Sequence, residues 1–243
     1  MKIHEIRSRL TSAGHCSIVS RAFRHVSGQA RTEYLDSMRS SALHAPKERM
    51  NRRDLADRPW RKLAIGSANG VGESYAQLLQ TTYFDEHCGE YPGLRELFSR
   101  MVTLRNDVLG VARDFGSVPA RDGFWNACRI HHYPRGGSFM AAHRDTYFPK
   151  ALESAGHPFL QVMVLLSERG RDFRSGGGYI VDRAGNKIQF EHADCLGTVV
   201  AFDGGIVHGV EDVDADEIID FHSPSGRLAA FVNLYKVLDG DAG

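Results

Sequence analysis

Apolar positions fall into two textures along the chain. From residue 92 to 115 they recur at three- and four-residue steps, as Leu94, Leu97, Phe98, Met101, Leu104, Val108, Ala112 and Phe115. That spacing predicts a helix with one apolar face, with Pro92 suited to its first turn and Gly116 to its end. Weaker helical patterning covers 29–43 and 72–83, and the stretch 44–70 between them, Arg-rich and broken by Pro46 and Pro59, has no readable conformation. Beyond Gly116 the texture changes to short apolar runs at 127–133, 159–166, 178–182, 187–191, 198–203, 206–210 and 228–237. Turn residues separate them, notably Pro134-Arg135-Gly136-Gly137, Ser175-Gly176-Gly177-Gly178 and Asp203-Gly204-Gly205. Such regular alternation predicts a β-sandwich or barrel, with a hairpin turn at 182–187. The expectation is one domain over 1–243, mainly β, in which a helical N-terminal part (1–116) precedes a strand-rich core (117–243).

The chain has 243 residues, 42% apolar and 25% charged. This profile belongs to a globular protein with one sizeable core and excludes disordered and collagen-like classes. No run approaches the eighteen or so apolar residues of a membrane span, and no apolar signal-type segment follows Met1-Lys2-Ile3-His4-Glu5, so a cytoplasmic location is expected. Cys16, Cys88, Cys128 and Cys195 lie far apart without a Cys-x-x-Cys pair, which removes zinc-ribbon and dithiol-redox readings and leaves reduced thiols. The formal charge is zero, yet residues 1–62 hold 14 Lys/Arg against 6 Asp/Glu, a net of +8, so 63–243 carry −8.

Candidate chemistry lies in the strand-rich part. His143-Arg144-Asp145 places an imidazole and a carboxylate two residues apart, on one side of an extended chain, where a strand end can offer two ligands to a divalent metal. The tripeptide alone is a weak signal, since a chain of this composition produces about one by chance and His192-Ala193-Asp194 is a second. Context separates them. His143 follows a strand-like run and a Gly-Gly turn, and His208, within Val199-Val-Ala-Phe-Asp-Gly-Gly-Ile-Val-His208, lies 63 residues after Asp145 on what reads as a separate strand. His192 leads into a turn and reads as a surface residue.

With these motifs the sequence resembles the iron(II)- and 2-oxoglutarate-dependent oxygenases over roughly 125–237. The resemblance rests on His143-x-Asp145, on Ser175-Gly-Gly-Gly, on Leu196-Gly-Thr-Val-Val-Ala-Phe-Asp-Gly-Gly-Ile-Val-His208-Gly-Val and on Arg227 opening the last strand. It implies a double-stranded β-helix (jelly-roll, cupin-like) barrel buttressed by α-helices. It also implies Fe(II) held by His143, Asp145 and His208, with 2-oxoglutarate and O2 as co-substrates and oxidation of a C–H bond coupled to release of succinate and CO2. Arg227 would take the distal carboxylate of 2-oxoglutarate, a task suited to a planar guanidinium. The chain departs from the family here: Arg227 follows His208 by 19 residues, where about ten is usual, and the Ser often found two positions later is Ala229. Tyr133 matches a position whose phenol assists 2-oxoglutarate binding in relatives. Strand alternation then puts Arg129 and His131 on the same face as candidates for touching substrate. Asp145 itself points to oxygenation, desaturation or ring closure, because related halogenases carry a small residue there.

The gap between His208 and Arg227 holds Glu211, Asp212, Asp214, Asp216, Glu217 and Asp220, either a solvated loop or a feature favouring a cationic substrate. Nucleic acid is disfavoured: the basic N-terminal residues lack interleaved aromatics, and Asn233 stands six residues after Arg227 where base demethylases of this family carry a second Arg. The expected partner is a small molecule, an amino acid, amino-acid derivative or natural-product intermediate. A prolyl-hydroxylase-like protein hydroxylase is the alternative within the class, and a cupin-like metal-binding or sensor module without turnover is the alternative outside it.

Overall fold

A computed structural model describes residues 2–50, 52–68, 75–145 and 159–237. In chain order they form α1 (Ile3–Ala13), β1 (His15–Ile18), α2 (Arg21–Ser40), the short β2 (Leu43–His44), a 3-10 turn at Arg52–Ala56, β3 (Trp60–Ala68), β4 (Tyr75–Phe84), α3 (Pro92–Leu109) and the single turn α4 (Pro119–Asp122). Then follow β5 (Phe124–Pro134), β6 (Ser138–His143), β7 (Leu160–Leu165), β8 (Gly177–Val181), β9 (Lys187–Gln189), β10 (Val199–Asp203), β11 (His208–Val213) and β12 (Gly226–Lys236). Among the described residues no helix is long and apolar enough to cross a membrane.

The N-terminal part is not helical throughout. The expected helix at 72–83 is corrected: its described portion is strand β4, paired with β3 on one side and with β5 and β6 on the other, while 72–74 lie outside the described residues. Gln80, Thr81 and Thr82 are all buried there, and a strand covered on both faces loses the alternation by which strands are recognised. β1 likewise joins the sheet, through β10. The helix at 92 does begin on Pro92 but stops at Leu109, where Gly110 turns left-handed (φ 77°) and its N–H bonds Asn106 O. The helix expected at 29–43 starts earlier, at Arg21, and ends at Ser40.

The strands run in the order β1-β10-β7-β12-β5-β4-β6-β11-β8-β9 and curl so that β5, β12 and β7 face β6, β11 and β8 across a cavity. This is the double-stranded β-helix architecture. Side-chain alternation gives the first group of strands two different faces. Cys128 and Ile130 of β5, Val162 and Val164 of β7, and Leu228, Ala230 and Val232 of β12 pack outward against α1, α2 and α3, where Tyr34, Leu97, Phe98 and Met101 are fully buried. Each such large side chain contributes about 1.5–3 kcal/mol by leaving water. The residues between them turn into the cavity: Arg129, His131 and Tyr133; Gln161 and Met163; Arg227 and Phe231.

The helices also brace one another. Glu33, in the middle of α2, accepts the Gly93 and Leu94 backbone N–H groups at 2.9 and 2.8 Å, capping the N-terminus of α3 from a neighbouring element. The helical layer thus holds β5 and β12 from behind, and these two strands carry both arginines of the cavity wall.

Candidate metal centre and its cavity

His143 ends β6, Asp145 follows two residues later, and His208 opens β11. Antiparallel pairing sets His143 directly opposite His208. The Asp145 N–H bonds Gly204 O at 3.0 Å, drawing the carboxylate under both rings. Potential ligand atoms of the three side chains lie within 4.8 Å of one another, and all three residues are buried. His143 Nδ1 lies 2.8 Å from Ala141 O, and His208 Nδ1 lies 2.9 Å from Ile206 O. A carbonyl can only accept, so each Nδ1 carries the proton and each Nε2 keeps its lone pair. Those Nε2 atoms sit 3.8 and 3.5 Å from the Asp145 oxygens, two imidazoles and one carboxylate on a common centre. This donor set suits a divalent transition metal with open positions.

Residues invisible to motif reading support the cluster. Gln161 on β7 donates Nε2–H to Asp145 Oδ2 at 2.6 Å, and its own carbonyl accepts from Asn233 Nδ2 on β12 at 2.6 Å. Asn233 therefore touches the metal cluster only through Gln161. Tyr75 stacks on the His143 ring, with centroids 3.9 Å apart, and burial together with the nearby Asp145 charge pushes its phenol up to about 12. A Gln eighteen residues past the His and an Asn on the last strand carry no sequence signature; register alone brings them together.

Arg227, second residue of β12, is 1% exposed and opposite Tyr133 in register, with its guanidinium 5.1 Å from the Tyr133 ring centre. Its Nε bonds Glu191, a fully enclosed carboxylate that also accepts the Gly178 N–H. Its Nη1 is buried without a partner. The glycine run explains itself here. Gly176 and Gly177 hold positive φ (79° and 121°), and a Cβ on Gly178 would meet Arg227 Nη2 at 2.5 Å. Glu191 carries no motif of its own, although it directly precedes the second His-x-Asp; His192 is exposed and outside the cluster.

The cavity, about 80 Å³, is lined by Arg227 and Tyr133, by the His143, Asp145 and His208 cluster, and by Arg129, His131 and Phe231. Tyr133 is buried, its hydroxyl facing Met140 Sδ at 3.8 Å, and burial pushes its phenol well up. None of the acidic residues 211–220 lines it. Instead Asp214 and Glu217 pair with Arg135, Asp216 and Glu217 with Arg174, and Glu211 with Lys187. The acidic run is thus paired within the C-terminal half, while the basic N-terminal part pairs with acids outside the run, Arg31 with Asp172 at 2.6 Å and Arg24 with Asp194 at 3.6 Å.

No protein-family model matches the chain, and no curated protein matches it at a significant level. Solved structures do. A Pseudomonas putida prolyl-4-hydroxylase superposes over 98% of this chain and all of its own, with a TM-score of 0.58 at 15% identity. This is the fold of the non-haem 2-oxoglutarate-dependent oxygenases. A Trichoplax adhaerens prolyl hydroxylase, solved with a peptide fragment of the hypoxia-inducible factor, covers 99% of this chain and 90% of its own with a TM-score of 0.52 at 15% identity. The non-haem alpha-ketoglutarate-dependent epimerase SnoN of nogalamycin biosynthesis covers 96% and 82%, with a TM-score of 0.51 at 12% identity.

Proposed function

We propose that the chain is an Fe(II)- and 2-oxoglutarate-dependent oxygenase that oxidises a C–H bond of a small molecule. The observation that carries this reading is the pair of imidazoles locked by carbonyls with both Nε2 lone pairs converging on Asp145, in the same cavity as a buried arginine with an unfilled Nη1. The first group fits a metal, and the second fits one end of a dicarboxylate. His143, Asp145 and His208 would hold Fe(II), Gln161 would keep the Asp145 carboxylate turned toward it, and Arg227 with Tyr133 would anchor the distal carboxylate of 2-oxoglutarate. When bound, the iron and co-substrate supply the oxidation: for a hydroxylation, one O2 atom enters succinate as CO2 leaves, and the other enters the substrate. Met163, Phe190 and Phe202 wall the cavity and keep water from the reacting atoms.

A cavity this narrow, with its polar groups set among Met163, Phe190, Phe202 and Phe231, supports a small-molecule substrate. The likeness to two prolyl hydroxylases supports a peptidyl substrate as the second reading. The test begins without oxygen. Fe(II) and 2-oxoglutarate added to the apoprotein should produce a visible charge-transfer band, absent in His208→Ala. Admitting O2 should then release succinate, more with an amino-acid or metabolite pool than with prolyl peptides. A band without succinate under any condition would leave a binding module in place of an oxygenase.

A further inference from the structure

Arg129 is a buried cation with no ion-pair partner among the described residues. It projects from β5 into the cavity at 7% exposure. Its Nε donates to His131 Nε2 at 3.0 Å, its Nη1 to the Tyr235 hydroxyl at 2.6 Å, and its guanidinium lies 5.5 and 5.3 Å from the ring centres of Phe231 and Tyr235. These contacts are neutral, so they fix its position without supplying a paired counter-charge. Among the described residues no carboxylate forms an ion pair with it, whereas Arg227 in the same cavity has Glu191. Asp145, the remaining cavity carboxylate, is committed to the histidines and Gln161.

The strand register separates the two arginines. Arg227 lies opposite Tyr133 and Phe231 opposite Arg129, so the guanidinia belong to positions four residues apart along the wall, roughly 13 Å at strand rise. A co-substrate anchored at Arg227 leaves the other end of the cavity to the molecule being oxidised. A desolvated guanidinium is unfavourable without a counter-charge and matches a carboxylate bidentately.

Resting on the oxygenase reading above, we infer that Arg129 is a substrate-recognition residue and that the substrate carries a carboxylate which Arg129 binds. His131 assists. Burial, followed by the Arg129, Arg227 and His143 charges, holds its imidazole far below the usual range, so it is neutral. Accepting at Nε2, it has its proton on Nδ1, a further donor beside the Arg129 site. This assignment runs against the cationic-substrate alternative for the acidic run, none of whose residues lines the cavity.

The experiment uses the full chain, loaded anaerobically with Fe(II) and saturating 2-oxoglutarate. Propanoate, hexanoate and phenylacetate are titrated by calorimetry against their amides, in the wild type and in Arg129→Gln and Arg129→Lys. At least one carboxylate should bind the wild type ten or more times more tightly than its amide. That preference should vanish in Arg129→Gln and partly persist in Arg129→Lys. Equal binding of acids and amides by the wild type, a reading that requires no variant to fold, overturns the assignment. So does loss of the 2-oxoglutarate charge-transfer band in a folded Arg129→Gln protein, because the co-substrate would then be the missing anion. Absence of that band from the wild type itself defeats the oxygenase reading separately.

Discussion

His143 and His208 face each other as register partners across the β6–β11 pair, their ring centres 4.3 Å apart. Two strands separated by more than sixty residues of chain thereby present two Nε2 atoms to one point, and Asp145 completes the set from just beyond the end of β6. The cluster depends on this pairing more than on any local turn, and residues that hold Asp145 against it should tune metal affinity.

Gln161→Leu removes the donor to Asp145 Oδ2. Fe(II) affinity, measured by anaerobic titration, should fall about 10- to 100-fold, the range for losing a group that orients a ligand. Asn233→Ala should fall less, because Asn233 reaches the carboxylate only through Gln161. Equal affinity in wild type and Gln161→Leu would remove Gln161 from the metal centre.

Glu191 and Arg227 are each about 1% exposed at the side chain, so truncating one partner strands the other's charge. Glu191→Ala should lose about 3–5 kcal/mol in urea unfolding. Saturating 2-oxoglutarate should raise the unfolding midpoint more in this variant than in the wild type, since its distal carboxylate supplies the missing anion. Unchanged stability would show that the pair is not what holds Arg227.

His132 points away from the cavity, fully buried, with Nε2 on Ser225 O at 3.1 Å and Nδ1 without a partner. Burial lowers its pKa to about 4, with the Arg61 and Arg31 charges adding to the effect and the Ser225 bond opposing it. The folded form therefore holds the proton less well than the unfolded chain. The resulting stability is complete above about pH 6.5 and is lost as the pH falls toward 4, a total of about 3 kcal/mol. Unfolding free energies of His132→Gln between pH 7 and 4 should decline by that much less than those of the wild type. Parallel pH profiles would contradict the assignment.

The triple variant Asp212→Asn, Asp216→Asn, Asp220→Asn should leave KM for the substrate within about twofold at low salt. None of the three lines the cavity, and exposed ion pairs such as Asp216 with Arg174 contribute little. A KM that rises severalfold and responds to salt would return the acidic run to substrate binding.

The distribution of readable and unreadable elements has a physical basis. β12 was visible as an apolar run, since both of its faces are covered, and α3 as a three-four periodicity, since one of its faces is. β4 is also covered on both faces, but its doublets Leu78-Leu79 and Tyr83-Phe84 imitate helical spacing, and only its hydrogen bonding to β3, β5 and β6 distinguishes the two. Glu191 and Gln161 are single polar residues beside or within apolar runs. Their partners lie 36 and 16 residues away, and no local pattern encodes a contact at such a distance.

From the sequence by itself came the strand-rich core, the His143-x-Asp145 pair, His208 and the position of Arg227, because periodicity, turn residues and ligand spacing are properties of the chain read in one dimension. Tertiary structure alone decided which charges are compensated. It assigned Glu191 to Arg227, Arg135 and Arg174 to acids of the 211–220 run, and no carboxylate of the described residues to Arg129. Net charge counts residues, whereas the cost of a charge depends on what surrounds it after folding. A chain whose formal charge is zero therefore still presents Arg129 to its cavity without an ion-pair partner among the described residues.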